Sequence, residues 1–516
     1  MKKLAFIILA LAVCLPAQEL DPSKLLNPGT DSWPTFNGDY SGRRYSTLAQ
    51  INQSNVSSLA LAWAFQSRSQ GSFSSMPLVA NGIMYVALPD QVWAIDARTG
   101  RQIWHFQRPS QGGGNRGVAM YKDRLFFTTP DTHVICLDAR NGKLLWDVQM
   151  EDPAFKAFAS MAPLVIRDHV LVAGSGDAAD LPGFLESLDP MTGKVQWRWD
   201  SEPKPGEPGS ETWPQDSDVM SRGGGMLWLT GTYDPELNLT YWGTGNPHPV
   251  ENGEPRPGAN LYTCSIVALN PDTGKMAWYF QASPHDTHDW DTNMTPVLFD
   301  ADFDGKPRKL LAQAAKQGLF FVLDRTNGKA LVSAPFAEAN WYSGWDERGQ
   351  PIPRAETEPK PSGVLVRSGQ TNWNAPSFDP QTGLFYINER EGIGVFYLTM
   401  PGKKAEGWAG RDFTVVSKSF LKAIDYQTGK IKWSRESSGR GGFTGILTTA
   451  GHLLFTADSA GNLVALDPAT GKTLWHMYPG GTLGTAPMTY ELDGRQYLVM
   501  PVDGVIFAFA LPARQQ

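Results

Sequence analysis

The residues best suited to chemistry stand close together between positions 285 and 291. Five of these seven positions carry imidazole or carboxylate groups: His285, Asp286, His288, Asp289 and Asp291. Carboxylates two positions apart point to the same side of an extended segment, so Asp289 and Asp291 could share one hard cation. The pattern favours a metal or acid–base site, and its alternative is a solvated acidic loop.

A recurring phrase organises the rest of the chain. An apolar run ends in Asp, a Gly-containing turn follows, and the next run closes with Trp, as in Ala94–Trp104 and Ala465–Trp475. Six copies carry the Trp, whereas two weaker copies, around Gly328 and Gly383, lack it. The repeated glycines stand at positions 100, 142, 193, 274, 328, 383, 429 and 471.

Each copy predicts two strands joined by a tight turn, because Asp and Thr supply side-chain acceptors and Gly supplies a positive φ. A four-stranded unit of this length cannot bury both faces alone, so the copies must stack radially. We therefore predict an all-β fold, an eight-bladed β-propeller with tryptophans docked between blades. Segments 33–63 and 496–511 are expected to complete one blade together, and the long gap before Gly274 predicts loops within 213–257.

The composition excludes some functions. The chain has 516 residues, 19% of them charged, and a formal net charge of -7. Without a Lys/Arg cluster it lacks the electrostatic footprint of a nucleic-acid partner. Residues 1–17 follow the pattern of a secretory signal peptide, with Lys2 and Lys3 before an apolar run, so residues 18–516 are expected to form a periplasmic or secreted propeller domain. No later segment approaches the ~20 apolar residues of a membrane helix.

The cysteines point to a reduced interior. Cys14 lies in the predicted signal, while Cys136 and Cys264 lie in apolar, strand-like runs. We expect two buried free thiols, with a single disulfide as the alternative. The sequence contains no CxxCH motif, so we expect no attached c-type haem.

Three segments together resemble one enzyme family. They are residues 31–63, the segment YDPELNLTYWGTGNP at 233–247 and the segment PHDTHDWD at 284–291. They resemble the pyrroloquinoline-quinone (PQQ)-dependent alcohol dehydrogenases of the methanol/ethanol family, and the likeness extends over nearly the whole chain after residue 17. The resemblance implies oxidation of primary alcohols or aldehydes by hydride transfer to PQQ, beside a Ca²⁺ or lanthanide ion, with a separate soluble cytochrome c as electron acceptor. A sugar or polyol dehydrogenase and a non-catalytic propeller scaffold are the alternatives.

The resemblance also implies roles for particular residues. Asn246, Asp289 and Asp291 match metal ligands, and Asp289 also matches the general base. Asp291 matches the extra carboxylate of lanthanide-using members. Lys316 matches a cation beside the quinone carbonyl. On residue type alone, the alternative for Asn246 is a turn-forming residue before Pro247, and the alternative for Lys316 is a surface lysine. The residues that match cofactor-binding positions, besides Lys316, are Arg116, Ser160, Ser175, Trp228, Asn372 and Trp373.

Three positions depart from the family pattern. Gly112-Gly-Gly114 stands where paired cysteines are typical, Ala178 stands where a glutamate metal ligand is typical, and Phe443 replaces a tryptophan. These departures leave open what covers the second face of the quinone and which group replaces the glutamate. The candidate replacements are Asp177 and Asp180, and the alternative is weaker metal binding for which Asp291 compensates.

Overall fold

Turn-bounded apolar runs form strands throughout the chain. The computed structural model describes residues 20–69, 71–109, 113–176, 181–215, 218–437 and 444–512. The predicted signal peptide, Gly112, Phe443 and the segment 177–180 with Ala178 lie outside these ranges. Helices are short: one α-helix spans Ser23–Leu26, and 3-10 turns span Val56–Ser58, Pro153–Phe155, Ser210–Thr212, Val219–Ser221 and Ala355–Thr357. None of these helices has the length and apolar character needed to cross a membrane.

The strands are numbered in chain order. The first eighteen are β1 Tyr45–Ser46, β2 Ala60–Gln66, β3 Leu78–Ala80, β4 Ile83–Leu88, β5 Gln91–Asp96, β6 Gln102–Gln107, β7 Ala119–Tyr121, β8 Arg124–Thr128, β9 His133–Asp138, β10 Leu144–Gln149, β11 Leu164–Ile166, β12 His169–Gly176, β13 Leu181–Leu188, β14 Val195–Asp200, β15 Thr232–Asp234, β16 Leu239–Gly243, β17 Ser265–Leu269 and β18 Met276–Gln281. The others are β19 Val297–Phe303, β20 Lys306–Ala314, β21 Leu319–Asp324, β22 Lys329–Pro335, β23 Tyr342–Trp345, β24 Pro351–Pro353, β25 Val364–Gln370, β26 Ser377–Asp379, β27 Leu384–Leu398, β28 Gly410–Asp425, β29 Ile431–Ser437, β30 Leu447–Thr449, β31 Leu453–Ala457, β32 Leu463–Leu466, β33 Thr473–Met477, β34 Met488–Leu492, β35 Arg495–Val502 and β36 Val505–Ala510.

Within the described ranges these strands form eight sheets of four or five strands and one two-stranded ribbon, β23–β24. Five sheets are antiparallel meanders of consecutive strands: β3–β6, β7–β10, β11–β14, β15–β18 and β19–β22. A sixth has the order β25-β27-β28-β29, with β26 on β27, and a seventh is β30–β33 with β1 added in parallel. The eighth has the order β2-β36-β35-β34. The predicted all-β character is confirmed, and the sheets fit a β-propeller.

The recurring tryptophans join neighbouring sheets. Trp104 of β6 covers Gly142, where an added Cβ would lie 2.7 Å from the indole. Its Nε1 donates to the Ala139 carbonyl at 3.0 Å. The same contact recurs at Trp63 with Gly100, Trp146 with Gly193, Trp197 with Gly274, Trp278 with Gly328 and Trp433 with Gly471. The predicted tryptophan docking is confirmed for five of the six tryptophans of the phrase, whereas Trp475 contacts Phe509 instead.

The two ends of the chain share one sheet. β2 pairs with β36, so that Ala60 lies opposite Ala510, which confirms the predicted joint blade. The predicted loops within 213–257 are present, and β15 and β16 form a hairpin inside the same span. Asp234 Oδ1 accepts the amides of Glu236 and Leu237 at 2.8 and 3.2 Å, which turns the chain into a hairpin there. Cys136 and Cys264 are buried free thiols, as expected, so the disulfide alternative is wrong.

Candidate active site

The acidic segment forms a tight turn after β18. The buried Asp286 carboxylate accepts the backbone N–H of His288 at 3.1 Å and that of Trp290 at 3.0 Å. Between these two anchors Asp289 takes a left-handed conformation with φ of 59°. The sequence predicted that this segment is extended. That prediction is wrong, because the backbone turns at Asp289. Asp289 and Asp291 nevertheless converge, because the turn aims both carboxylates at the same lysine.

That lysine is Lys316, in the turn between β20 and β21. Its Nζ donates to Asp289 Oδ2 at 2.7 Å and to Asp291 Oδ2 at 3.2 Å. Burial disfavours the ammonium ion, but the two carboxylates outweigh burial and raise the pKa of Lys316 above its ordinary value. Burial raises the pKa of Asp289, which Lys316 lowers and Asp291 raises further. Lys316 therefore stays charged and favours the ionised form of Asp289.

Asn246 reaches the same two carboxylates from the loop after β16. Its backbone N–H donates to Asp291 Oδ1 at 3.1 Å. The terminal amide atom that faces the acids lies 3.0 Å from Asp291 Oδ1 and 3.2 Å from Asp289 Oδ1. As nitrogen, this atom donates to both acids. As oxygen, it completes a set of three converging oxygens, the donor type that a hard cation takes.

This donor set fits a metal ion built from two carboxylates and one amide. No group of three or more His, Cys, Asp or Glu side chains in the described ranges is arranged to hold a metal. Any further protein ligand must therefore be a neutral oxygen or come from outside those ranges, where Ala178 and its acidic neighbours lie. The residues present fit a cation with an incomplete protein shell, which leaves coordination positions for other oxygen donors.

Asn293 connects this acidic centre to the segment of Trp228. Its Nδ2 donates to the Met226 carbonyl at 2.9 Å and to the Gly243 carbonyl at 3.1 Å. The backbone N–H of Gly245 also donates to the Met226 carbonyl, at 2.9 Å. The loops that carry Asn246, Asp291 and Trp228 are therefore fixed relative to one another.

Arg116 lies between two indole rings. Its guanidinium carbon is 4.9 Å from the Trp228 ring centroid and 5.6 Å from that of Trp373. Its Nε donates to the Trp228 carbonyl at 3.1 Å, and burial lowers its pKa to about 10, so it remains charged at neutral pH. Its Nη groups make no hydrogen bond to the part of the chain that the structure describes. A charged guanidinium with Nη groups that have no hydrogen bond within the described ranges, next to two indole faces, fits a flat ring that carries a carboxylate.

Two other predicted cofactor residues, Ser160 and Asn372, make local contacts with Arg116 and Trp373. The backbone N–H of Arg116 donates to the Ser160 carbonyl at 2.9 Å. Asn372 Oδ1 accepts the N–H of Trp373 at 2.9 Å, which shapes the segment locally. Thr371 Oγ1 donates to the Ala314 carbonyl at 2.9 Å and ties this segment to that of Lys316. Ser175 lies in β12, and its side chain is outside the described part of the structure.

Sequence reasoning missed three residues that shape the site. Asn293 is the bridge just described, and Asp286 was noted only as one acid among several. Arg256 is fully buried, and its guanidinium donates to the carbonyls of Pro249, Val250 and Asp286. Its one sequence signal is a charged residue between Pro255 and Pro257 in a long irregular segment.

Comparison with known proteins identifies the family. The family model described as the PQQ glucose/ethanol/alcohol dehydrogenase β-propeller domain matches residues 33–365 and 418–498. The quinohemoprotein alcohol dehydrogenase of Comamonas testosteroni is 38% identical over 94% of this chain and 75% of its own length. A quinoprotein alcohol dehydrogenase of Pseudomonas putida is 34% identical over 89% of this chain and 83% of its own.

Solved structures agree. The crystal structure of the Comamonas testosteroni enzyme matches with a TM-score of 0.86 and 33% identity, covering 94% of this chain and 82% of that one. A europium-containing methanol dehydrogenase matches with a TM-score of 0.85 and 28% identity, covering 95% of this chain and 100% of that one. The chain belongs to the family of PQQ-dependent alcohol dehydrogenases.

Proposed function

We propose that the protein oxidises primary alcohols, or aldehydes, with PQQ and one Ca²⁺ or lanthanide ion. One observation carries this proposal: Asn246, Asp289 and Asp291 converge on a single point beside Lys316. Asn293 then links that point to the segment of Trp228. A cation ligand set, a fixed ammonium group and an aromatic platform are the parts that this chemistry needs.

Each residue of the site has a distinct role in the proposed reaction. PQQ, when bound, would supply the hydride acceptor for the alcohol carbon, and a cation held by Asn246, Asp289 and Asp291 would supply a Lewis acid. Asp289 accepts the proton of the alcohol hydroxyl in its ionised form, which the charge of Lys316 favours. Lys316 fixes the direction of both carboxylates and presents its positive charge to the reacting region. Arg116 binds a carboxylate of the cofactor, while Trp228 and Trp373 exclude water from its faces.

The proposed substrate class is inferred from the related proteins. The family description includes glucose dehydrogenases, so sugars and polyols remain the second candidate class of substrate. The named relatives at 38% and 34% identity are alcohol dehydrogenases, which favours short alcohols. A non-catalytic scaffold is excluded, because the chain belongs to a family of oxidoreductases.

Asp291 favours lanthanide use. Asp289 and Asp291 together bring two formal negative charges to the same point, which favours a trivalent ion more than a divalent one. A europium-containing methanol dehydrogenase is among the structural matches, at 28% identity. We therefore propose that the site accepts lanthanides as well as Ca²⁺.

The architecture and cellular setting are also part of the proposal. Eight blades are supported by the eight large sheets, by the tryptophan–glycine contacts and by the Trp475–Phe509 ring contact at 6.1 Å between β33 and β36.

Residues 1–17 are proposed as a signal peptide and the periplasm as the location, on the sequence pattern alone. A separate soluble cytochrome c is the proposed electron acceptor, on the family resemblance alone.

One reconstitution experiment tests the function. Metal-free protein is incubated with PQQ and with Ca²⁺, La³⁺ or no metal, and reduction of an artificial dye is followed with ethanol, 1-butanol and glucose. We expect dye reduction that requires both PQQ and metal and is faster with the alcohols. Equal rates without metal, or a preference for glucose, would contradict the proposed cation site or the proposed substrate class respectively.

A further inference from the structure

Arg256 contributes no group to the converging oxygens, yet it contacts both loops that do. It is 0% exposed. Its Nε donates to the Pro249 carbonyl at 2.9 Å, and its Nη2 donates to the Val250 carbonyl at 2.9 Å. These carbonyls belong to the loop that follows Asn246. One side of the guanidinium therefore fixes the course of the chain just beyond a proposed metal ligand.

The same guanidinium also reaches the acidic turn. Nη2 donates to the Asp286 carbonyl at 2.6 Å, and Nη1 donates to Asn260 Oδ1 at 2.9 Å. Asn260 Nδ2 in turn donates to the Arg256 carbonyl at 3.0 Å, which fixes the arginine's own backbone. Arg256 thus bridges the loop that carries Asn246 and the turn that carries Asp289.

Asp286 completes the bridge from the other side. Its backbone carbonyl accepts from Arg256, while its carboxylate accepts the N–H groups of His288 and Trp290. These two residues flank Asp289 in the sequence. The position of the Asp289 side chain is therefore set by the Asp286 carboxylate, and the position of Asp286 is set by Arg256.

We propose that Arg256 and Asp286 are positioning residues that set the separation of Asn246 from Asp289 and thereby the affinity of the site for its metal ion. This inference rests on the proposed function. A planar guanidinium with five donors in a fixed fork can hold two loops at one spacing, whereas the single ammonium of lysine cannot. Metal affinity depends steeply on such outer hydrogen bonds, typically by 10- to 100-fold.

Two variants test the inference. Arg256→Lys keeps the positive charge but loses the fork. Asp286→Asn keeps the shape but has one acceptor oxygen for two N–H donors, so the turn around Asp289 loses an anchor. Arg44→Lys is the matched control, because Arg44 is also buried and also donates to three carbonyls, those of Phe36, Ile446 and Pro487, without contacting either loop.

The readout is metal binding, measured apart from turnover. Metal-free, PQQ-loaded protein is titrated with Tb³⁺, whose emission is sensitised by nearby tryptophan, and Ca²⁺ affinity is obtained by competition. Thermal unfolding of the metal-free proteins is recorded in parallel. We expect both site variants to bind each ion at least tenfold more weakly than the unmodified protein. We expect Arg44→Lys to lower the Tm while its Kd for Tb³⁺ stays unchanged.

The outcomes separate the possible failures. Unchanged Kd values in Asp286→Asn would overturn the inference, and this variant alone decides if Arg256→Lys does not fold. An equal loss of affinity in Arg44→Lys would also overturn it, because the effect would then reflect general stability. If the unmodified protein binds neither ion, the proposed function fails and this inference fails with it.

Discussion

The ammonium group of Lys316 lies 2.7 Å from Asp289 Oδ2. The same group lies 3.2 Å from Asp291 Oδ2, so a single positive charge holds two acids that would otherwise repel each other. Lys316 thereby offsets part of the effect of burial and of the Asp291 charge, both of which raise the pKa of Asp289. This relationship also gives the first test of the proposed chemistry.

Replacing the base should abolish most of the activity. Asp289→Asn keeps the size of the side chain but cannot accept the hydroxyl proton, so kcat should fall on the order of 10²-fold or more. The measurement is dye reduction by protein saturated with PQQ and Ca²⁺. Asp168→Asn, at an exposed turn, is the control and should keep full activity. Full activity of the Asp289 variant would refute the assignment of the base.

Removing Lys316 should destabilise the metal-free protein. Lys316→Ala leaves Asp289 and Asp291 facing each other without the ammonium, at a cost of about 1–3 kcal/mol. Urea unfolding of metal-free protein measures this loss. Added Ca²⁺ should restore most of the stability of the variant, because the cation takes over the role of the positive charge. A variant as stable as the unmodified protein without metal would show that the lysine does not hold the acids.

Asp291 should determine the preference for lanthanides. Asp291→Ala removes one negative charge, which weakens attraction for a trivalent ion more than for a divalent one. We expect the Kd for La³⁺ to rise by a larger factor than the Kd for Ca²⁺, as measured by calorimetry on PQQ-loaded protein. Equal factors for the two ions would remove Asp291 from the basis of metal choice.

Glu251 should make stability depend on pH. It is 1% exposed, and its carboxylate oxygens have no hydrogen-bond partner in the described ranges. Burial, and then Asp412, Asp289 and Asp286, raise its pKa to about 8 from 4.5. Between these two values the folded state binds more protons than the unfolded state, so its stability falls as pH rises through this window.

The corresponding variant removes that penalty. Glu251→Gln resembles the neutral acid at every pH, so it should match the unmodified protein near pH 4.5 and be more stable by a few kcal/mol near pH 8. Thermal unfolding at both pH values measures the difference. Glu356→Gln changes an exposed glutamate and should give the unmodified profile at both values. No gain for Glu251→Gln at pH 8 would show that the buried carboxyl is not protonated there.

The tryptophan–glycine contact can be weighed against backbone strain. Gly142 has φ of 73° and would place a Cβ 2.7 Å from Trp104, whereas Gly305 has φ of 72° with nothing within 4 Å. Ala at either position pays the same left-handed strain. Gly142→Ala should therefore cost about 1–3 kcal/mol more than Gly305→Ala in urea unfolding. Equal losses would mean that the indole yields without cost.

The tryptophan–glycine contacts were predictable because the residues that form them recur in a short sequence pattern. Most turn glycines contact a tryptophan of the preceding sheet, so one physical reading of the phrase applies to most of the copies. Gly429 shows what happens where the tryptophan is missing. The preceding copy lacks its tryptophan, and Val332 and Ala334 of β22 contact this glycine instead. The pairing of β2 with β36 followed from the need to complete the last sheet.

The site was predictable in its members more than in its construction. Residue types and the family resemblance pointed to Asn246, Asp289 and Lys316, which the fold brings together. The left-handed turn at Asp289 was not predictable, because it depends on the Asp286 carboxylate accepting two backbone amides. Arg256 was missed because its role comes from distant carbonyls, and no spacing along the chain encodes which carbonyls those are.

The pairing of Ala60 with Ala510 has a consequence for biosynthesis. β2 cannot pair until the distant β36 has been synthesised, and until then its hydrogen-bonding edge is exposed. Sheets made of consecutive strands, such as β3–β6, can form meanwhile. This sheet therefore assembles later than the described sheets of consecutive strands, and the exposed edge of β2 makes the nascent chain vulnerable to aggregation in the interval.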